Sequence, residues 1–446
     1  MRYNIPDGAI QIIQELKKNG HKAYLVGGCV RDLLMEREPH DWDICTSALP
    51  DQMKECFGKY KVIETGLKHG TLTVVLGDQA YEVTTFRVDG AYSDGRHPDE
   101  VAFTTDLDAD LARRDFTMNA IAMNEEGFIY DPYGGVGHIK GHLISCVGYP
   151  WERFEEDGLR IMRALRFSST LDFRIGTTTG NAMNSSRSHL GNVSEERISE
   201  ELRKLLGGFL PGKKLRMYPT VLSVFWPEIE ACVGFNQKNH HHIYNVWDHI
   251  CVAIDKADTK DVIVRLALLL HDIGKPRCFT IDEQGRGHFY GHPPVCAAMA
   301  DDMLRRLKFD NATREAVVQL VEHHDATIVP TEKCVRRWLN KIGEEQFRRL
   351  LHVKMGDTLA HNPETLGTRV DDIYQARKIL DRVIKERQCF SLKDLAIRGQ
   401  DIIRAGVPQG PRVGEILKEI LNRVVDGELE NNHALIMDAV YHIKET

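Results

Sequence analysis

The sequence lacks the features that mark membrane or secreted proteins. It has no apolar run long enough to cross a bilayer, and residues 1–20 show amphipathic spacing in place of a signal peptide. Its ten cysteines, from Cys29 to Cys389, include no CxxC pair, which disfavours both a zinc ribbon and a disulfide framework. The sequence therefore predicts reduced thiols, a cytoplasmic location and no membrane partner.

An excess of positive charge is also lacking. The net charge is −7 over 446 residues, which argues against indiscriminate nucleic-acid binding and predicts no DNA partner. Residues 160–217 nevertheless hold eleven Lys/Arg against five Asp/Glu. Such a segment suits RNA, although solvated helix faces explain charge runs more often.

The hydrophobic pattern divides the chain. Strand-like and helix-like segments alternate in roughly the first quarter, whereas helical periodicity dominates from Glu152 almost to the end. The predicted fold class is α+β, with an α/β head followed by an all-α neck, body and tail. The predicted domains are the head at residues 1–140, the neck at 141–230, the body at 240–360 and the tail at 361–446.

Small and polar residues mark three further segments. Residues 88–101, "VDGAYSDGRHPDEV", are rich in Gly and Asp and predict a mobile loop. Residues 210–214 ("LPGKK") and 234–242 ("GFNQKNHHH") predict linkers.

A pair of aspartates begins a predicted strand in "EPHDWDICT". Alternation along the strand points Asp41 and Asp43 to one face and Trp42 towards the core. Two carboxylates this close repel each other, and a divalent cation relieves the repulsion; Mg²⁺ favours a few carboxylates completed by substrate phosphates and water. A helix cap or an Asx turn explains an isolated DxD more often.

A glycine turn precedes the aspartates. The strand "AYLV" ends at Gly27 and Gly28 and leads into a helix, where backbone N–H groups favour a phosphate and Arg31 adds a charge. The turn and the aspartates together predict a nucleotidyltransferase site, with triphosphate on the turn and metal on the acids. Glu82 is a possible third carboxylate, although an exposed strand position explains it equally well.

A second acid–base pair lies in "EEDGLRIMRALRF". Asp157 and Arg160 are three residues apart, which predicts neighbours on one helix face, with Arg163 and Arg166 beside them. An acceptor next to a donor matches the Watson–Crick edge of cytosine and adenine, whereas uracil and guanine reverse that order. The alternative is an ordinary helix salt bridge. Arg114 in "RRDFTMN" is a further candidate for a triphosphate or ribose contact.

Histidines and aspartates recur in the predicted body. Imidazoles and carboxylates that converge in a helical bundle suit one or two divalent transition metals with open positions for water. Core histidines in a relic fold are the alternative. His242 is in helical register with His249, and Asp325 is an alternative ligand of lower rank. The possible metal ligands are His249, His271, Asp272, His292, His323, His324 and Asp357.

Six motifs, in order, carry a family resemblance: "LVGGCVRDLL", "HDWDICT", "RRDFTMNAIAM", "DPYGG", "FEEDGLRIMRALRF" and "EERISEEL". Over residues 22–206 the chain resembles the class II tRNA nucleotidyltransferase and bacterial poly(A) polymerase family, and its later half resembles the HD-domain type of these enzymes.

The resemblance implies Mg²⁺ at Asp41 and Asp43, and tRNA, CTP and ATP as partners. It also implies nucleotide contacts at Arg114, Asp157, Arg160, Arg163 and Arg166. The loop at residues 88–101 occupies the place where family members that add all of CCA have a flexible loop.

The leading hypothesis is template-independent addition of C, C and A to the tRNA 3′ end by two-metal chemistry, with an accessory HD-domain phosphohydrolase acting on phosphomonoesters or 2′,3′-cyclic phosphates. The alternatives are a poly(A) polymerase, a partial A- or CC-adding enzyme, and a metal phosphohydrolase with a nucleotide-binding head. An RNA-binding scaffold is disfavoured by the number of metal-type ligands.

Overall fold

The computed structural model describes residues 3–67, 70–89 and 101–445. The chain forms two compact units, an N-terminal unit over Met1–Glu230 and a C-terminal unit over Ala231–Thr446. This boundary coincides with the end of the predicted neck. The finer division into four domains stays a prediction.

The N-terminal unit is built on one mixed sheet of seven strands in the order β3-β4-β5-β2-β1-β8-β9. Strands β2 and β5 are parallel, whereas the other neighbours in this sheet are antiparallel. The strands of this unit are β1 (Ala23–Val26), β2 (Asp43–Thr46), β3 (Lys61–Gly66), β4 (Thr71–Leu76), β5 (Gln79–Thr85), β6 (Arg87–Asp89), β7 (Val101–Phe103), β8 (Ala122–Met123), β9 (Ile129–Tyr130), β10 (Leu143–Ile144) and β11 (Arg174–Ile175).

Helices flank the sheet and then dominate this unit. Apolar residues at helical spacing bury one face of α1 through Ala9, Ile12, Ile13 and Leu16. The helices are α1 (Asp7–Lys18), α2 (Gly28–Leu34), α3 (Pro50–Cys56), α4 (Leu107–Ala112), α5 (Gly135–Lys140), α6 (Pro150–Glu156), α7 (Leu159–Thr170), α8 (Thr177–Ser185), α9 (Glu195–Leu206), α10 (Pro211–Met217) and α11 (Pro219–Leu222).

The C-terminal unit is mainly helical. Helix α16 contains a kink at Gly343, whose φ of 78° leaves the helical region. Its elements are α12 (Val246–Lys256), α13 (Val262–Leu270), β12 (Thr280–Ile281), β13 (Gly287–His288), α14 (His292–Arg306), α15 (Asn311–His323), α16 (Glu332–Leu359), α17 (Arg369–Lys385), α18 (Gly399–Arg404), α19 (Pro411–Val425) and α20 (His433–Glu445).

The tail of this unit has its own apolar core, formed by residues that include Leu395, Ile402, Ile420 and Ile436. None of the helices in the described ranges is long and apolar enough to span a membrane. All ten cysteines lie in those ranges as free thiols, and eight of them are buried. The prediction of reduced cysteines agrees with this arrangement.

The α+β fold class is confirmed, while two local predictions are wrong. The segment "LPGKK" is part of α10, because Pro211 suits the first turn of a helix. The helix predicted through "EEDGLR" breaks at Asp157, whose φ of −144° and ψ of 106° are extended. The central part of the predicted loop, residues 90–100, lies outside the described residues; β6 and β7 pair on either side of it.

Candidate active sites

Three carboxylates gather at one end of β2. Asp43 is the first residue of β2 and stands opposite Glu82 of β5, while Asp41 lies two residues before it. Parallel partners at the same register point to the same face, so both side chains share it. Burial and the charges of Glu82 and Asp41 raise the pKa of Asp43 to about 6, against the opposing effect of Arg114.

This acidic group has the donor chemistry of a Mg²⁺ site. All three side chains offer oxygen, the ligand type that Mg²⁺ prefers, and their mutual repulsion is relieved by a cation. The structure brings the predicted Asp41 and Asp43 together, and it also brings Glu82 to them through the β2–β5 register.

The glycine turn lies directly beside this acidic group. Gly27 has a φ of 80°, and a Cβ at this position would lie 3.2 Å from Nη1 of Arg114 and 3.6 Å from Oδ2 of Asp43. Only glycine combines this φ with so close an approach. Gly28 then begins the seven-residue helix α2.

Asp110, which is not among the predicted site residues, holds Arg113 and Arg114 in place. Asp110 is buried, and its Oδ1 accepts from Nε and Nη2 of Arg113 at 3.0 and 2.6 Å while its Oδ2 accepts from Nη2 of Arg114 at 3.2 Å. Burial raises the pKa of Asp110, but the two guanidinium groups outweigh burial and hold the pKa below its ordinary value. The i, i+3 and i, i+4 spacing was the available signal.

Asp43, Glu82, Asp110, Arg113 and Arg114 line one cavity of about 210 Å³. One side of the cavity, formed by β2 and β5, is therefore acidic. The other side carries Arg113 and Arg114, which the buried Asp110 holds in place. This is the arrangement that a triphosphate with bound divalent cations requires.

The remaining predicted arginines are also held in place. Arg31 donates to Asp32 and to Asn119, both at 2.9 Å. Arg163 donates through Nε and Nη2 to Oδ2 of the buried Asp115 at 2.8 and 2.7 Å. Burial raises the pKa of Asp115, but Arg163 and a hydrogen bond from Asn119 lower it to about 2.

Three of these guanidinium groups lie against the ring of Phe167. The Cζ atoms of Arg31, Arg163 and Arg166 lie 5.3, 5.4 and 3.9 Å from the ring centroid of Phe167, and Nε of Arg166 lies 2.8 Å from Glu201. The basic run predicted as a possible RNA surface is thus partly an internal network of ion pairs.

Asp157 and Arg160 differ from the predicted pair. Because the helix breaks at Asp157, the two side chains have other partners: Asp157 pairs with Arg197 at 3.0 Å and accepts from the backbone N–H of Leu159, whereas Arg160 pairs with Glu156 at 2.5 Å. Arg160 also donates to the backbone carbonyl of Arg113 at 2.9 Å. The neck therefore connects to the arginine pair beside the acids.

Histidines and aspartates converge in the C-terminal unit. Nδ1 of His271, His292 and His324 lies 2.7, 2.9 and 2.7 Å from a backbone carbonyl, and His249 makes a longer contact of 3.3 Å with Ala360. A carbonyl oxygen only accepts, so Nδ1 carries the hydrogen and Nε2 offers its lone pair inward. Metal-binding histidines are oriented in this way.

Asp272 lies at the centre of these lone pairs. Its Oδ2 is 3.4 Å from His249 and 3.3 Å from His271, while its Oδ1 is 3.5 Å from His292 and 3.7 Å from His324. The carboxylate is buried, and neither oxygen receives a well-oriented hydrogen bond. Nζ of Lys275 lies 2.7 Å from Oδ2 and supplies one charge partner, and the remaining lone pairs of this buried carboxylate are open to a further partner.

The histidine nitrogens also face one another. Nε2 of His249 and His271 are 3.3 Å apart, and Nε2 of His292 and His324 are 3.1 Å apart. Burial lowers the pKa of His271, but Asp272 and Asp357 outweigh burial and raise it to about 10, so a proton binds there in the absence of a metal. A proton and a metal compete for the same lone pairs.

Two sets of ligands follow from the geometry. Oδ2 of Asp272 belongs with His249 and His271, next to Asp357, whereas Oδ1 belongs with His292 and His324. Asp272 is thus oriented to bridge two cations. Mixed imidazole and carboxylate donors fit divalent transition metals.

One predicted ligand is absent from this cluster and another residue is present. His323 lies against Trp338, with ring centroids 5.3 Å apart, because consecutive helical residues point in different directions. His361, one turn after Asp357, joins His249 and Asp357. The ring of His242 also contacts His249 and His361, although it precedes α12 and is not on the helix.

The chain resembles known proteins along nearly its whole length. A profile described as the poly A polymerase head domain matches residues 23–145, and one described as tRNA nucleotidyltransferase domain 2 matches residues 295–440. The CCA-adding enzyme of Lactobacillus delbrueckii subsp. bulgaricus is 36% identical over 432 residues, which cover 96% of each chain. The CCA-adding enzyme of Lactobacillus helveticus is 49% identical over 425 residues, 95% of this chain and 94% of that relative.

The chain belongs to the family of CCA-adding enzymes. The crystal structure of the Bacillus stearothermophilus CCA-adding enzyme, a complex with CTP, matches with a TM-score of 0.72 at 32% identity over 98% of this chain and 97% of that one.

Membership in the CCA-adding family confirms the predicted enzyme class, a tRNA nucleotidyltransferase, and the α+β architecture of a sheet-containing head and a helical body. Nucleotidyltransferases of this family use a divalent metal, which agrees with the three carboxylates at Asp41, Asp43 and Glu82. The roles of individual residues stay predictions.

Proposed function

We propose that this enzyme adds C, C and A to the 3′ end of tRNA from CTP and ATP, and that Asp41 and Asp43 hold the divalent ions, as Mg²⁺. The observation that carries this proposal is the acidic group of Asp41, Asp43 and Glu82 next to the glycine turn at Gly27. The names of the relatives and the CTP complex of the B. stearothermophilus enzyme support it.

The residues around the acids divide the work. Divalent ions bound there would lower the pKa of the RNA 3′-hydroxyl and neutralise charge on the α-phosphate and pyrophosphate. The turn at Gly27 and Gly28 leaves space for the triphosphate, and Arg114, held by Asp110, presents positive charge to it. Asp110 thereby positions Arg114.

Base choice is assigned to the neck, with Asp157 as acceptor and Arg160 as donor. Each is held by its own partner, Arg197 and Glu156, so the acceptor and the donor are fixed independently. Cytosine and adenine both offer an exocyclic amine beside a ring acceptor, whereas UTP and GTP would place a carbonyl opposite Asp157 and a ring N–H opposite Arg160.

A tRNA transcript without its CCA end tests the proposal, with CTP and ATP given separately and together. We expect two cytidines with CTP alone and a complete CCA end with both nucleotides. Addition of many adenosines without cytidine would instead establish a poly(A) polymerase, and addition that stops after CC or begins only at A would establish a partial enzyme.

A second activity is proposed for the C-terminal unit, hydrolysis of phosphomonoesters or 2′,3′-cyclic phosphates on RNA ends. The observation that favours it is the buried carboxylate of Asp272, which four inward-facing Nε2 atoms surround at 3.3–3.7 Å. Transition metals bound there would supply an activated water.

Metal analysis of purified protein tests this second activity. We expect one to two transition-metal ions per chain, together with hydrolysis that stops after chelation and returns with Mn²⁺, Co²⁺ or Ni²⁺. If the purified protein binds none of these ions, the proposed hydrolysis is excluded. The predicted cytoplasmic location agrees with both activities.

A further inference from the structure

An aromatic pair lies at the opening of the histidine–aspartate site. A cavity of about 290 Å³ is lined by the metal-type ligands Asp272, His292 and His324 and also by His288 and Tyr290. The rings of His288 and Tyr290 are stacked, with centroids 5.1 Å apart and planes 7° apart. Tyr290 is 77% exposed, so this ring presents its surface at the mouth of the cavity and not in the core.

The pair sits on a firmly anchored hairpin. Strands β12 and β13 pair antiparallel, and Asp282 at their turn accepts from the backbone N–H of Gln284 and of Arg286. Oδ2 of Asp282 also contacts Nε2 of His288 at 2.7 Å, which fixes the imidazole plane. A platform held in this way loses little conformational entropy when a ligand binds to it.

The base of the hairpin is anchored as well. The backbone N–H of Gly287 donates to the backbone carbonyl of Lys238 at 2.9 Å, and a Cβ at Gly287 would come within 2.2 Å of the carbonyl of Gln237. Gln237 also holds the ammonium group of Lys275, whose Nζ lies 3.1 Å from Oε1 of Gln237 and 2.7 Å from Asp272. Gln237 thus contacts both the hairpin, at Gly287, and Lys275, which is paired with Asp272 of the ligand cluster.

The chain also places the platform close to the ligands. Nδ1 of His292 donates to the carbonyl of Phe289, and Gly291, with a φ of 71°, turns the chain between Tyr290 and His292. Consecutive Cα atoms are about 3.8 Å apart, so the Cα atoms of Tyr290 and His292 are separated by at most about 7.6 Å. A phosphate at the cluster and a base on the ring are therefore within the reach of one nucleotide.

We propose that the His288–Tyr290 pair stacks the base of the nucleotide whose phosphate is hydrolysed, so that this site acts on nucleotide ends of RNA and not on phosphoesters in general. This inference rests on the hydrolase activity proposed above. Three features select this class of substrate: the metal-ligand cluster and the ammonium group of Lys275 for phosphate, a small cavity for the ribose, and a flat exposed ring for the base.

In the reaction, water adds to phosphorus, one P–O bond to the ribose breaks, and the leaving ribose oxygen takes up a proton. With a 2′,3′-cyclic phosphate, the product is a nucleoside 2′- or 3′-monophosphate that still carries its base. Stacking on Tyr290 holds the substrate and the transition state alike, because the base does not change in the reaction, so it acts on KM more than on kcat.

The test compares two cyclic phosphates that differ only by the nucleoside: adenosine 2′,3′-cyclic phosphate and glycerol 1,2-cyclic phosphate, each with Mn²⁺ and the full chain. We expect wild type to prefer the nucleotide by roughly 5- to 150-fold in kcat/KM, the range that one stacked base supplies. Tyr290→Ala should lose this preference through KM, whereas Tyr290→Phe should keep it because the ring remains.

A second readout does not depend on turnover. Calorimetric titration with adenosine 3′-monophosphate should give weaker binding to Tyr290→Ala than to Tyr290→Phe, while the glycerol phosphate titration should not distinguish them. Both variants keep the nucleotidyltransferase site, so nucleotide bound there cancels in the comparison. Ile281→Ala, at an exposed position of the same hairpin, is the matched control and should behave like wild type.

Two failures are distinguishable. Equal hydrolysis of both cyclic phosphates by wild type and by Tyr290→Ala would overturn the base-stacking inference and leave the hydrolase activity in place. Hydrolysis of neither compound by wild type, with any of Mn²⁺, Co²⁺ or Ni²⁺, would overturn both.

Discussion

The carboxylates of the two candidate sites have different neighbouring side chains. In the N-terminal unit, Asp43 shares its face with Glu82 and has Asp41 nearby, so the donor set is oxygen alone. In the C-terminal unit, Asp272 is surrounded by histidine nitrogens. Oxygen donors suit Mg²⁺ with a triphosphate, whereas mixed imidazole and carboxylate donors suit a transition metal and an activated water.

The arginines follow the same division. Partly buried guanidinium groups around the N-terminal site are paired with buried acids, as in Arg114 with Asp110 and Arg163 with Asp115. Around Asp272 the cationic side chain is Lys275, and the other polar neighbours are imidazoles that bind a metal as readily as a proton. Nucleotide transfer requires fixed positive charge, while hydrolysis requires open coordination positions.

The largest expected effect is on the two catalytic activities: one substitution at each site should remove the activity of that site and leave the other unchanged. Asp43→Ala should reduce nucleotide incorporation by roughly a thousandfold, because it removes a metal ligand, and it should leave phosphoester hydrolysis unchanged. Asp272→Ala should do the reverse. Both activities are measured on each variant, with the exposed Asp51→Ala and Asp438→Ala as matched controls. Loss of both activities in either variant would contradict the separation.

The next effect decides between the sequence prediction and the structure within the C-terminal site. His361→Ala should weaken transition-metal binding by about 10- to 100-fold, because this ring lies in the ligand cluster. His323→Ala, which removes the ring against Trp338, should not change it. Metal affinity is measured by competition with a chelator. The opposite result would restore His323 as a ligand.

A third effect concerns the stability contributed by Asp115, a buried acid that is paired with Arg163. The pKa of Asp115 is about 2 in the folded protein against a model-peptide value near 3.9, so its charge stabilises the fold above pH 3.9, and this contribution is lost as the pH falls towards 2. Asp115→Asn should therefore cost about 2 kcal/mol of unfolding free energy at pH 7.

Urea denaturation at pH 7 and pH 3 measures this difference. The gap between wild type and Asp115→Asn should shrink at pH 3, because the wild-type carboxylate begins to take up a proton in the unfolded state. A gap that stays constant with pH would show that the ion pair with Arg163 is not its source.

The smallest expected effect concerns base choice. Asp157→Ala should raise incorporation of UTP or GTP relative to CTP by about tenfold, because the acceptor for the exocyclic amine is removed. Asp172→Ala, which removes a half-exposed ion pair with Lys214, is the control. Competition between nucleotides on one tRNA transcript gives the ratio, and unchanged selectivity would remove Asp157 from base recognition.

Short periodic motifs were predictable because their geometry is local. The glycines before the aspartates marked a turn whose φ only glycine adopts readily. The predicted alternation through Asp41 was wrong, because β2 begins only at Asp43 and Asp41 lies in a bend before the strand. The helix through Asp157 was not predictable from spacing alone, since one extended residue moves Arg160 to a different partner.

The sequence by itself determined the fold class, the family and the residue types available for chemistry, since these depend on periodicity and on motifs in order. Only the tertiary structure decided which residues meet. The β2–β5 register brought Glu82 to Asp43, and helix packing placed His361 with His249 while His323 pointed to Trp338. The physical reason is that ligand sites are formed by residues far apart in the chain, and their distances are set by packing and not by spacing.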